Sequence, residues 1–154
     1  MCIRDSVRTG FVDGDSMLDT MHENDRYILS NLFYTPKQGD IIVFAPDESQ
    51  QSEDEKLWVK RVIATEGQKV YINPEDNCVY IDDVKYEEPY ITQPTYLGPI
   101  KDNPITVPKG QIFVMGDNRG ISKDSRYIGC IDTRRIIGHV LFRVYPFNKI
   151  GTVQ

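Results

Sequence analysis

The stretch "LWVKRVIA", Leu57–Ala64, is the one on which the fold turns. β-branched and aromatic residues dominate it, which is the composition of a strand. Successive strand side chains point to opposite faces. One face then carries Trp58, Lys60, Val62 and Ala64; the other carries Leu57, Val59, Arg61 and Ile63. Each face holds one cation among apolar neighbours, and alternation leaves open which is buried. The ordinary outcome for a strand lysine is an apolar stem on the surface and an ammonium in water.

Outward from this run the pattern repeats. "GDIIVF" (Gly39–Phe44), "KVYI" (Lys69–Ile72), "CVYIDDVKY" (Cys78–Tyr86), "QIFVMGD" (Gln111–Asp117) and "HVLFRVYPF" (His139–Phe147) have the same composition. Turn chemistry separates them: "PKQGD", "NPEDN", "VPKG". "NPEDN" predicts a hairpin from Lys69 to Tyr86. Only "DTRRII" (Asp132–Ile137) reads as helical, with an aspartate to cap it and Gly138 after it. The fold class is therefore mainly β: antiparallel sheets in a partly closed barrel or sandwich, with one short helix near the C-terminus.

Two stretches read as loops. "APDESQQSEDEK" (Ala45–Lys56) is acidic and polar, a solvated excursion. "EEPYITQPTYLGPIKDNPITVPKG" (Glu87–Gly110) holds five prolines and marks a Pro-rich excursion over about 86–110. One domain is expected over 12–148, with 1–11 as a truncated or non-native leader. "MCIRDSVRTG" has no apolar h-region, so it is not a signal peptide. The longest apolar run, Ile41–Ala45, falls far short of the roughly 18 residues of a membrane span.

The 154 residues carry a net charge of −5, which argues against a nucleic-acid partner. Three cysteines, Cys2, Cys78 and Cys130, show neither a disulfide framework nor a metal-binding spacing. Two scattered histidines, His22 and His139, make a poor zinc site and poor candidates for a catalytic base. No metal site is expected.

Lysine chemistry is the alternative. At its ordinary pKa near 10.4, roughly one lysine in 2,500 is neutral at pH 7, too few for a base. Burial penalises the charged form and can lower that value by about 3–5. A dried-out Lys60 beside a serine hydroxyl could then take its proton. "DGDSMLDT" (Asp13–Thr20) supplies a serine among turn-formers. A plain turn or helix cap would explain it equally well. "GDNRGISKDSRYIG" (Gly116–Gly129) supplies hydroxyls and a carboxylate–guanidinium pair, either as a polar loop or as support for a lysine amine.

Together these stretches resemble the catalytic domain of bacterial type I signal peptidases, the Ser-Lys proteases. "GDSMLDTM" is similar to the family's serine box, Gly/Ser-x-Ser-Met-x-Pro-Thr-Leu. "KQGDIIVF" resembles its Gly-Asp-plus-strand box, and "WVKRVIATEG" its lysine box. "MGDNRGISKDSRYIG" agrees with Gly-Asp-Asn-Arg-x-x-Ser-x-Asp-Ser-Arg-x-x-Gly at every specified position. The resemblance spans about Val12 to Phe147. It implies Ser16 as nucleophile and Lys60 as general base, with Ser122 hydrogen-bonded to the Lys60 amine. It implies Asp124 paired with Arg126, and Asp117 and Arg119 shaping the same loop. The Ser16 N–H would serve the oxyanion hole, and Gly14 would allow close backbone approach. Gly14, Asp15, Met17 and Val59 would line the substrate groove.

The implied reaction is cleavage of signal peptides from exported preproteins after small residues, with Ala-like side chains at the first and third positions before the cut. The substrate would add as a strand beside the residues before Ser16 and around Lys60. No cofactor is implied. The parent would be a membrane-anchored monomer with this domain outside the cytoplasmic membrane. Departures are Gly14, where some members carry a serine, and Asp19, where the family has proline; Asp19 would favour a protonated Lys60. Two other readings remain. A self-cleaving repressor-type Ser-Lys protease would need an Ala-Gly or Cys-Gly bond, and the chain has neither. A non-catalytic peptide-binding β-domain would bind without turnover.

Overall fold

A computed structural model describes residues 7–47 and 57–154. Most of the expected acidic excursion, 48–56, lies outside the described residues, as does Cys2. The strands are β1 (Val7–Phe11), β2 (Arg26–Ser30), β3 (Ile41–Phe44), β4 (Trp58–Thr65), β5 (Lys69–Asn73) and β6 (Cys78–Ile81). They continue with β7 (Val84–Lys85), β8 (Ile105–Thr106), β9 (Gln111–Met115), β10 (Ile131–Asp132), β11 (Ile136–Tyr145) and β12 (Gly151–Thr152). The larger sheet runs β1-β2-β11-β3-β4-β9-β10, with β12 added to β11; the smaller runs β7-β6-β5-β8. All pairings are antiparallel, and the larger sheet curls into a half-barrel. The expected mainly β architecture is what the chain adopts.

The interior position of β4 settles the question raised by its two cations. β3 pairs it on one side and β9 on the other, and apolar clusters cover both faces. Lys60 is 5 % exposed and Arg61 2 %, so both are buried. β9 pairs β4 only from Arg61 onward. Trp58, Val59 and Lys60, laddered to β3, line a cleft on the side that β9 does not reach.

Several elements differ from the sequence reading, each for a local reason. Cys78–Tyr86 is split into β6 and β7 by Asp82 and Asp83, which take positive φ of 50° and 68° and reverse the chain. Aspartate tolerates that region better than most residues. The helix is not at Asp132–Ile137. Thr133–Arg135 form a single 3-10 turn, capped by Asp132, and Ile136 already begins β11. The α-helix, α1, is Ser125–Ile128, capped by Asp124 and closed by Gly129. β11 starts three residues before His139 and ends at Tyr145; Phe147 belongs to another 3-10 turn. Val7–Phe11, within the expected leader, form β1 and pair with β2 over five residues.

Candidate active site

Ser16 sits in the turn that leaves β1 and returns to β2. The chain folds back on itself through Val12 N–H to the Asp25 carbonyl and Asn24 N–H to the Val12 carbonyl, at 2.9 and 2.8 Å. Met17 and Met21 point into the half-barrel and are fully buried. That anchoring leaves the half-buried Ser16 at the corner. Gly14 has φ +82°, a backbone that strains any side-chain-bearing residue. A Cβ there would meet nothing of the protein within 4 Å, so what the fold itself requires of this glycine is the positive φ.

Lys60 Nζ lies 2.7 Å from Ser16 Oγ, hydrogen-bonded to it. The amine is also 5.5 Å from the Trp58 ring centroid. The two groups come from residues 44 apart in sequence, brought together by β4 and the β1–β2 turn.

The Gly116–Gly129 loop packs beneath this pair. A Cβ at Gly116 would stand 2.1 Å from Ser122 Oγ and 2.5 Å from the Ser16 carbonyl oxygen, so only glycine lets the loop come this close. Asn118 N–H donates to that carbonyl at 3.0 Å. Ser122 Oγ is buried and makes no hydrogen bond, so the expected bond from Ser122 to the Lys60 amine is not formed. Its hydroxyl faces Gly116 instead, beside the Ser16 main chain.

Three buried guanidinium–carboxylate pairs hold the loop. Arg126 grips Asp124 through Nε and Nη2 at 2.9 and 2.8 Å, as expected. Asp124 also caps α1 and accepts from Gly116 N–H at 3.1 Å. Asp117 pairs with Arg61 at 2.9 and 2.7 Å and accepts the Thr20 hydroxyl at 2.5 Å. Arg61 further donates to the Gly39 carbonyl and stacks 3.8 Å from the Tyr90 ring centroid. Arg119 takes Glu88 in a bidentate pair, plus the Thr95 hydroxyl and the Gly116 carbonyl. Glu88, Tyr90 and Thr95 all belong to the Pro-rich excursion, which thus braces the loop. Sequence reasoning missed Glu88, because no local pattern marks a carboxylate whose partner lies 31 residues on.

A cleft of about 510 Å³ opens on Ser16. It runs between β1 and the open side of β4, and its lining includes Gly14, Asp15, Met17 and Val59, the expected groove residues. Ile121 and Lys123 add a rim the sequence did not indicate. Asp19 is exposed. His139 is stacked on Tyr34 with its Nδ1 2.9 Å from the Ser30 carbonyl, an ordinary strand residue. No cluster of three or more metal-ligating side chains occurs among the described residues. No helix among them is long and apolar enough to cross a membrane.

A hydroxyl 2.7 Å from a buried lysine amine, opening on a cleft, is an arrangement that could activate the hydroxyl. The sequence pattern of "Signal peptidase, peptidase S26" matches residues 4–145, and the chain belongs to that family. It is 41 % identical over 148 residues to a probable signal peptidase I-1 of Synechocystis, covering 92 % of this chain and 72 % of the relative. It is 33 % identical over 156 residues to signal peptidase IB of Staphylococcus aureus, covering 90 % and 78 %. Among solved structures, a signal peptidase I from Enterococcus faecalis superposes with a TM-score of 0.56 at 29 % identity, covering 69 % of this chain and 97 % of that one.

Proposed function

We propose that this chain is a serine endopeptidase that removes N-terminal signal peptides from exported preproteins, using Ser16 and Lys60. The observation that carries the reading is the 2.7 Å contact between Ser16 Oγ and a buried lysine amine at the floor of an open cleft. Neutral Lys60 Nζ takes the hydroxyl proton as Oγ bonds to the scissile carbonyl carbon. The Ser16 N–H donates to the developing oxyanion; Gly14 offers no side-chain donor beside it. As the C–N bond breaks, the protonated lysine returns the proton to the leaving amine. Water then attacks the acyl-enzyme by the reverse path, with Lys60 again as base.

Two open edges support an extended substrate. Among the described residues β1 ladders with β2 and no other strand, and the β4–β9 ladder begins only at Arg61, so an extended peptide laid between β1 and the first half of β4 could add to the ladder. Buried Met17 leaves room at the floor for small side chains. Asp124–Arg126, Asp117 and Arg119 hold the loop, and Ser122 Oγ lies against Gly116 beside the Ser16 main chain. The apolar core of a signal peptide lies at a membrane, so the same reading puts the enzyme on the extracytoplasmic side of the cell membrane, acting as a monomer. Nucleic acid has no part in it.

The experiment is hydrolysis of a signal-peptide-like substrate by the wild type, Ser16→Ala and Lys60→Ala. Turnover by the wild type alone is expected. Equal, nonzero rates in all three would overturn the assignment, and binding without wild-type turnover would point to a peptide-binding domain.

A further inference from the structure

Asn118 reaches the Ser16 turn at two successive carbonyls. Its side-chain Nδ2 donates to the Asp15 carbonyl at 3.1 Å. Its main-chain N–H donates to the Ser16 carbonyl at 3.0 Å. The residue before it grips the same turn: the Asp117 carboxylate accepts the Thr20 hydroxyl at 2.5 Å and is itself held by Arg61. Asp15, Ser16 and Met17 line the cleft, whereas Asn118 is not among the lining residues. It therefore holds the turn from behind the reacting groups.

The Asp15 carbonyl also accepts the Leu18 N–H at 3.2 Å. Two donors on one oxygen set the plane of the Asp15–Ser16 peptide, which is trans. Across a trans peptide the carbonyl and the following N–H point in opposite directions. A carbonyl drawn toward the Gly116–Gly129 loop thus turns the Ser16 N–H away from that loop. The Asn118 main chain fixes the Ser16–Met17 peptide in the same way, so both planes flanking Ser16 are clamped. When Oγ bonds to a scissile carbonyl carbon, the carbonyl oxygen takes up the charge. Gly14 puts no side-chain donor beside the Ser16 N–H, so the aim of that one N–H matters the more. A donor aimed off line forfeits stabilisation of the transition state and leaves ground-state binding intact.

We propose that Asn118 is a positioning residue for this reaction: its side-chain amide, through the Asp15 carbonyl, aims the Ser16 N–H at the oxygen that becomes charged. This rests on the reading of the cleft as an endopeptidase site. Without the amide, the Asp15–Ser16 plane is left to the Leu18 bond and can rock. The groove and the Ser16–Lys60 contact do not pass through Asn118 and stay as they are.

The test compares Asn118→Ala with the wild type on three molecules: a signal-peptide-like substrate, a peptide aldehyde with the same residues before the cut, and the matching peptide alcohol. Ser16 Oγ adds to the aldehyde carbon, and the aldehyde oxygen takes the oxyanion's place; the alcohol binds without forming that bond. The variant's kcat is expected to fall by about tenfold or more, with the aldehyde's inhibition constant raised by about as much. KM and alcohol binding are expected to stay within about twofold, and the pH of half-maximal rate to stay put. General loosening of the turn would instead raise KM and weaken both ligands alike, an outcome that overturns the proposal. If circular dichroism finds Asn118→Ala unfolded, Asn118→Asp decides, since it keeps the shape and removes the donor. Its rates are read on the pH plateau, because the added carboxylate favours a protonated Lys60. A wild type that cleaves the substrate, with a folded variant that matches it in kcat and aldehyde binding, overturns this inference alone. A wild type that does not cleave overturns the endopeptidase reading and this inference together.

Discussion

Desolvation acts alike on the Lys60 amine and the Arg61 guanidinium, but an arginine stays charged in proteins, whereas an amine can give up its proton. Arg61 is accordingly matched by Asp117, a main-chain carbonyl and an aromatic face. Removing that match exposes the cost of a buried charge. Asp117→Asn keeps the shape and leaves Arg61 uncompensated, a loss of about 3–5 kcal/mol. For a domain of this size that lowers the melting temperature by about 6–20 °C, readable by circular dichroism. Lys60→Arg keeps a cation but cannot accept a proton. Its kcat is expected to fall about a hundredfold or more, with peptide binding retained. The wild-type rate should climb with pH as the lysine deprotonates, and a flat profile between about pH 6 and pH 10 would remove Lys60 as the base. That Ser16 and Lys60 would meet was legible in the sequence, through the boxes that contain them. Glu88 was not, because its partner Arg119 is brought to it only by folding.

Among the elements, the Pro-rich excursion is tied to the Gly116–Gly129 loop by Glu88–Arg119, Thr95–Arg119 and the Tyr96 carbonyl with Arg126. Glu88→Gln loosens the brace without touching the cleft lining. Its expected signature is a kcat lower by about tenfold or more with KM little changed, since misplacement of reacting groups is costly in rate. The 3-10 turn after β10 yields a pH prediction. The Arg134 side chain first, then its main-chain N–H, holds the Asp132 carboxyl at about 2. A lowered folded-state value means that the cap's contribution is present above the ordinary carboxylate range and is lost as pH falls through about 2. An NMR titration should find that midpoint, moving toward about 3.9 in Arg134→Ala. The β-branched and aromatic runs around β4, β5 and β9 were readable because each buries at least one apolar face. β1 and β2 were not, being short and flanked by charged residues. α1 spans four residues, too few to show a helical period, while "DTRRII" offered a cap with no helix behind it.

For the whole molecule, the half-barrel leaves the cleft between β1, an edge strand among the described residues, and the end of β4 that β9 does not reach. Neither opening could be read from single runs, since whether a strand is central or at an edge depends on which others reach it. Cys78 and Cys130 are not among the residues that line the cleft. Cys130 is half-buried, and burial pushes it up to about 11. Mass spectrometry after brief alkylation near pH 8 should find it largely unmodified.

The unpartnered side of β1 also bears on what happens after the cut. On the proposed strand addition, a fragment laddered to β1 and the first half of β4 would keep those bonds when its downstream half departs. Release of the upstream fragment then competes with entry of the next preprotein. Progress curves should bend early, and the isolated fragment should act as a competitive inhibitor whose grip weakens when alternate peptide N–H groups are methylated.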